Sequence, residues 1–290
     1  MDTCKVPSIS YADLLQHDTD TGDLAKETLV KSLNDYGACR IRDHGIPQDL
    51  IDNCFNKSWE FFDRDLDEKI AETESSGTSS ASRFVPFGSE KIRGEAHLDE
   101  TLEFQYGAYE MEGNWSEPSQ KLVEASKDLH DWENTRNVTG TRNSYFAPYY
   151  YSFQDDNDNN PLRVPPHIDP TTILMNFQDE HAGLEVADLS NRRGSLSATT
   201  VEKSATFVPV HYQRGEFLLL IGHVMRRLVP DVKHSVHRVK RPVGIKGFHL
   251  NYWIVPDLDT SCDFGDKKED VAGYLARVFP AALRNSSLQA

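Results

Sequence analysis

The sequence predicts a mainly β protein: an antiparallel sandwich or barrel with helices in front of it. Three observations carry this. From about Thr101 onward, short runs of β-branched and aromatic residues are separated by turn residues. Before that point, apolar residues recur at helical spacing. Strands and helices do not alternate as βαβ units would, so a parallel sheet is not expected.

Composition bounds what such a fold could serve. The 290 residues include 31 Lys+Arg and 46 Asp+Glu, a net charge of −15, which argues against nucleic-acid binding because phosphate contacts need clustered cations. A hydrophobic share of 38% suffices for one large core. No stretch approaches the roughly 18 apolar residues of a membrane helix. The opening Met1-Asp2-Thr3-Cys4-Lys5-Val6-Pro7 lacks a basic-then-apolar signal. A soluble, cytoplasmic protein with no membrane partner is therefore expected. Cys4, Cys39, Cys54 and Cys262 are scattered with no C-x-x-C pair, as ordinary thiols would be.

Along the chain, Asp23 is placed to cap a helix carrying Ala25, Leu29 and Leu33 on one face. Residues 38–41 read as a short strand. Pro47 then suits the first position of a second helix, on which Leu50, Ile51, Cys54, Phe55, Trp59 and Phe62 share a face. The charged 63–69 and the Ser/Thr/Gly-rich 72–82 predict a solvated turn and a loop. Strands are expected at 101–108, 144–151, 164–168, 171–177, 184–187, 206–209, 217–221, 235–239 and 248–255, with a helix at 118–133. Residues 155–160 and 189–203 read as surface insertions, and 271–278 as an amphipathic helix with Val271, Tyr274, Leu275 and Val278 on one face.

The sharpest chemical feature is His167-Ile168-Asp169, with His237 far downstream in Lys233-His234-Ser235-Val236-His237-Arg238-Val239. In a strand, residues i and i+2 face the same way, so His167 and Asp169 can grip one ion while a histidine from a distant strand completes a three-donor face. Two imidazoles and a carboxylate leave the opposite positions open. That suits non-haem Fe(II), and the same donors could hold zinc in a hydrolytic site. On composition alone His223, His234 and His249 compete for the third place. His181, in the turn-like Asp179-Glu180-His181-Ala182-Gly183, reads as surface.

Several segments in order resemble one family. Tyr36-Gly37-Ala38-Cys39-Arg40-Ile41-Arg42-Asp43-His44-Gly45-Ile46-Pro47 is similar to WGFFQVxNHGIP, and Phe61-Phe62 with Glu68-Lys69 to FFxLPxEEK. Thr172-Ile173-Leu174-Met175-Asn176-Phe177-Gln178-Asp179 leading to Gly183-Leu184-Glu185-Val186 resembles LTILLQDxxxGLQV. Gly222 followed by Lys233–Val239 resembles GDxL…YKSVxHRV. These are motifs of the Fe(II)/2-oxoglutarate-dependent dioxygenases of the isopenicillin N synthase-like type, which include many plant and fungal biosynthetic oxygenases.

The resemblance implies a double-stranded β-helix, or jelly roll, braced by N-terminal helices. It implies a helical region at 1–100, a catalytic core at 101–256 and a helical tail at 257–290, all in one structural domain. It assigns His167, Asp169 and His237 as iron ligands, and Asn143 and Tyr145, from an Asn-x-Tyr segment, to 2-oxoglutarate. The implied reaction uses Fe(II), O₂ and 2-oxoglutarate to hydroxylate, desaturate or cyclise a small organic molecule, in the manner of secondary metabolism.

One position departs from the pattern. Where these enzymes carry an Arg-x-Ser triplet that clamps the distal carboxylate of 2-oxoglutarate, this chain has Gly247 and His249. A buried carboxylate with no partner is costly. Either another base substitutes (His249, Lys246, Arg142, Arg163 or Arg226), or the protein is an oxidase that draws its electrons from substrate, or it binds a ligand without turnover. Asp169-Pro170 also removes a backbone donor beside a ligand. Arg83, Phe84, Phe104, Asn251 and Trp253 are candidate substrate contacts, against the alternative that Phe104 and Trp253 are core and Arg83 is solvated.

Overall fold

The computed structural model describes residues 4–75, 82–89, 91–92, 95–96, 99–105, 116–134, 145–151, 161–181, 183–193, 197–241, 245–263 and 268–278. After β1 (Ser8–Ser10) and the short α1 (Tyr11–Leu14), helix α2 spans Asp20–Tyr36. Its cap is Thr19, whose Oγ1 accepts a hydrogen bond from Gly22 N at 3.0 Å. The helix thus starts about a turn ahead of the expected Asp23, which pairs with Lys26 on the exposed side. The helix ends at Gly37, in the left-handed region (φ 65°). A Cβ there would lie 2.5 Å from the backbone of His234 and Ser235, so glycine serves both the turn and the close approach of the segment that leads to His237.

β2 (Ala38–Arg42) pairs in parallel with β1. Helix α3 (Gln48–Phe62) follows Pro47 as expected, burying Ile51, Cys54, Phe61 and Phe62. Helix α4 (Leu66–Ser75) occupies residues for which the sequence predicts a solvated turn and loop. The reason is tertiary: Lys69 is buried, with its Nζ 2.5 Å from Glu100 Oε2 and 3.0 Å from Phe62 O.

The chain continues through β3 (Ser82–Val85), the small antiparallel pair β4 (Lys91–Ile92) and β5 (Glu95–Ala96), β6 (Glu100–Gln105) and helix α5 (Glu117–Asn134). Then come β7 (Tyr145–Tyr151), β8 (Leu162–His167), β9 (Ile173–Gln178), β10 (Leu184–Ala187), α6 (Ala198–Glu202), β11 (Phe207–Pro209), β12 (Glu216–Ile221) and α7 (His223–Leu228). Last are β13 (His237–Lys240), β14 (Gly247–Ile254), β15 (Ser261–Asp263), β16 (Lys268–Asp270) and α8 (Val271–Val278). Two sheets face each other, β1-β2-β12-β9-β14-β7-β6-β3 and β11-β10-β13-β8. Apart from β1 with β2, every described pair in them is antiparallel. This is a jelly roll.

Alternation along β14 sorts the two sides of the large sheet. Phe248, Leu250 and Tyr252 join Trp59, Phe61 and Phe62 of α3 and Leu122 and Leu129 of α5 in the outer apolar layer, where the helices brace the sheet. Trp253 belongs to the inner layer with Tyr151, Val164, Leu184 and Leu218. Each buried aromatic contributes about 1.5–3 kcal/mol by leaving water. The polar run at 155–160 lies outside the described residues. The supposed surface insertion 189–203 is anchored: Leu189 and Val201 are buried against Ala187 and Val236. No described helix is long and apolar enough to cross a membrane.

Burial pushes the thiols of Cys39 and Cys54 up to about 12. Since the thiolate is the reactive form, only about one in 10⁴ of either is ionised at pH 8. In the native protein an aromatic disulfide reagent should therefore label Cys4, which is partly exposed, and leave Cys39 and Cys54 untouched until urea is added. Fast native labelling of either would show that the layer beneath α2 and α3 opens.

Candidate metal centre

β8 ends on His167 and β13 begins on His237, and the two are register partners across the small sheet. Their rings sit 4.2 Å apart, centroid to centroid. Asp169 stands just past the end of β8 rather than within it, so a turn and not strand alternation brings it alongside His167. Its Oδ1 lies 3.9 Å from His167 Nε2 and its Oδ2 3.6 Å from His237 Nε2. One donor atom from each residue falls within 4.8 Å of the other two.

The protonation pattern suits a cation. His167 Nδ1–H donates to Pro165 O at 2.9 Å, which leaves Nε2 with its lone pair towards the centre. Burial lowers the basicity of His237 against the opposing pull of Asp169, which favours the neutral, ligating imidazole. Two nitrogens and one carboxylate oxygen on one side, with His167 partly open to solvent, match the donor set of a mononuclear Fe(II) centre with free positions.

A second layer of contacts holds the Asp169 turn. His223 N donates to Asp169 O at 2.8 Å, Gly222 N to Thr172 O at 2.8 Å and Val224 N to Thr171 O at 3.1 Å. His223, one of the histidines that compete on composition for the third ligand place, instead supports α7. Arg227 donates to its Nε2 at 3.3 Å, so Nδ1–H is left to donate to Tyr274 Oη at 2.5 Å. Burial, helped by Arg227, lowers its pKa to about 4. At Gly222 a Cβ would sit 2.1 Å from Thr171 O and 3.1 Å from Asp169 O. Gly222→Ala should thus cost about 1–3 kcal/mol in urea unfolding and weaken iron binding roughly tenfold by shifting Asp169. Unchanged iron affinity in a measurably destabilised variant would separate the turn from the ligand.

The remaining candidates divide. Alternation on β14 turns Gly247, His249, Asn251 and Trp253 to the inner side of the large sheet. There His249 Nδ1 lies 3.1 Å from Tyr151 Oη, Asn251 Oδ1 accepts from Asn176 Nδ2 at 2.6 Å, and Trp253 packs edge-on to Tyr149. Lys246 faces the other way. Its Nζ bonds Asp63 Oδ1 at 3.1 Å on the helix side, so it does not reach the inner space where a clamp would act. Phe84 is likewise displaced from its expected role: it is buried in the outer layer against Phe61 and Phe62, with Lys69 over its ring. Arg83 and Phe104 hold known strand positions, opposite Glu103 and Ser82, and Tyr145 holds the register position opposite Trp253 in the β7–β14 pair. The side chains of these three lie outside the described residues, as do Arg142 and Asn143 entirely.

A jelly roll that carries a His-x-Asp…His cluster where β8 ends and β13 begins fits a mononuclear non-haem oxygenase. The family model of the N-terminal region of non-haem dioxygenases in morphine synthesis matches residues 6–134, and that of the 2OG-Fe(II) oxygenase superfamily matches 141–256. The chain belongs to the 2OG-Fe(II) oxygenase superfamily; it is an oxidoreductase that uses Fe(II), 2-oxoglutarate and O₂. Among relatives, the 2-oxoglutarate-dependent dioxygenase frbA of Dothideomycetidae sp. (strain 11243) is 22% identical, over 83% of this chain and 80% of that protein. The proline hydroxylase buaE of Petromyces alliaceus is 23% identical, over 97% and 92%. A full-length Neurospora crassa protein crystallised in complex with alpha-KG superposes with a TM-score of 0.74 at 15% identity, over 95% of this chain and 96% of that one. The rice dioxygenase for auxin oxidation gives 0.70 at 17%, over the same shares.

Proposed function

We propose that His167, Asp169 and His237 hold a single Fe(II) and that the chain oxidises a small organic molecule of secondary metabolism in the inner space between the two sheets. The observation that carries this reading is the three-donor cluster within 4.8 Å. Bound there, Fe(II) supplies the O₂ chemistry in which 2-oxoglutarate loses CO₂ to become succinate and a C–H bond of the substrate is oxidised. The chain's own residues do the rest. Pro165 O fixes the His167 tautomer, the Gly222 turn fixes Asp169, and the apolar inner layer excludes water. Asn251, His249 and Trp253 present hydrogen-bonding and aromatic surface to whatever lies beside the metal.

Support for a small substrate comes from the relatives' own descriptions, a proline hydroxylase and an auxin oxidase among them, and from the acidic charge. The free state of all four cysteines supports a reducing, cytoplasmic setting. The deciding experiment is anaerobic titration of the Fe(II)-loaded protein with 2-oxoglutarate, followed by exposure to O₂. A visible metal-to-ligand charge-transfer band should saturate, and succinate should form only with iron present. Iron-loaded protein that shows neither band nor succinate would overturn the reading.

A further inference from the structure

The absence of an arginine at position 247 leaves a physical gap, and another side chain fills it. On β14, Gly247 shares the inner side with His249 and Asn251. A Cβ built on Gly247 would meet Arg163 Nη1 at 3.2 Å and His181 O at 3.1 Å. The guanidinium of Arg163, from β8, therefore occupies the space that a residue-247 side chain would enter. It lies close enough to Tyr151 to put Cζ 4.9 Å from that ring's centroid, and the Tyr151 hydroxyl meets His249.

Arg163 is poorly provided for as a structural cation. It is 2% exposed. Nη2 donates to Ile245 O, but Nη1 is buried with no hydrogen-bond partner among the described residues. The nearby Asp179 is committed elsewhere: its two oxygens accept from His181 N at 2.9 Å and Phe248 N at 2.7 Å. Asp179 and Asp99 offset part of the Arg163 charge, but no carboxylate oxygen bonds Nη1 among the described residues, and a buried N–H donor left unmet is costly. The planar fork of the guanidinium is built for a carboxylate. Arg163 also stands on the strand that ends at His167, four residues along, which is roughly 13 Å on a straight strand and less across the bulge that β8 contains.

We infer that Arg163 replaces the arginine missing at Gly247 and binds the distal carboxylate of 2-oxoglutarate, with the Tyr151–His249 pair beside it. This inference rests on the reading that 2-oxoglutarate is chelated at the His167–Asp169–His237 centre.

The test compares two ligands in the anaerobic Fe(II)-loaded full chain, by charge-transfer titration. One is 2-oxoglutarate, and the other is 2-oxobutyrate, which keeps the chelating head and lacks the distal carboxylate. Wild type should bind 2-oxoglutarate at least about 100-fold more tightly. Arg163→Met should lose that preference, bringing the two ligands to similar affinity, and Arg163→Lys should retain about a tenth of it. Because the readout is a ratio within one sample, partial loss of folded protein does not affect it. The paired variant R163G/G247R, which moves the arginine to the strand where related enzymes carry it, should restore the preference, and it serves if Arg163→Met does not fold. If Arg163→Met weakens both ligands equally, or keeps the wild-type preference, Arg163 is a packing residue and the inference fails alone. If R163G/G247R folds without preference, the inference fails too. If wild type shows no band with either ligand, the proposed function fails first and takes the inference with it.

Discussion

Asp169→Ala will purify with little iron and form no succinate above background. Asp169 is the single anionic donor of the three; without it, two neutral imidazoles on strand ends must hold a divalent cation unaided. Loss of an outer hydrogen bond to a ligand typically costs 10–100-fold in metal affinity, and loss of the ligand itself should exceed about 100-fold. Folding should survive, since the main-chain bonds that hold the turn, from His223 N to Asp169 O and from Gly222 N to Thr172 O, do not use the carboxylate. Iron per chain after desalting, measured with a colorimetric chelator, decides the matter alongside the far-ultraviolet circular dichroism. Near-stoichiometric iron in a well-folded Asp169→Ala would remove Asp169 from the ligand set.

Lys69→Met carries the largest expected cost in stability. It leaves the Glu100 carboxylate, itself buried, without the ammonium 2.5 Å away, and it discards the bond to Phe62 O and the contacts over the Phe62 and Phe84 rings. Stranding one charge of a buried pair costs about 3–5 kcal/mol, which for a chain of this size is a fall in melting temperature of roughly 10 °C. The double variant Lys69→Met with Glu100→Gln should recover much of the loss, because the stranded charge is gone. Equal melting temperatures for the single and double variants would mean that the pair holds by packing alone.

These two sites differ in how far the sequence announces them. The candidate ligands His167 and Asp169 are legible because a metal site needs nearby donors in a short motif, and the register of β8 against β13 then brings His237 beside them. The strands around them read well, since alternation is a local property; β10 falls at the expected residues, and β14 within one at either end. Lys69 is not legible. Its helix reads as a charged turn because the partner that makes burial tolerable, Glu100, is 31 residues away. Leu189 and Val201 are hidden for the same reason: their burial is decided by Val236, not by their neighbours. The departure at Gly247 is plain in the sequence, but there Arg163 stands only as one base among several. Sequence spacing cannot say which side chain arrives at an empty place from a strand far upstream. Lys246, adjacent in sequence, is the natural suspect, and its ammonium is drawn to Asp63 on the helix side instead.

The way the N-terminus enters the large sheet has a consequence for how this protein is made. β2 completes its hydrogen bonding only against β12, and Arg40 meets Glu216 in a buried ion pair across 176 residues of sequence. Until that later strand leaves the ribosome, Ala38, Cys39 and Ile41 belong to an apolar strand with an open edge, a template for pairing with other chains. Such long-range closure makes folding slow. Yield in a heterologous host should consequently respond more to the rate of translation and to chaperone supply than to the equilibrium stability of the finished jelly roll.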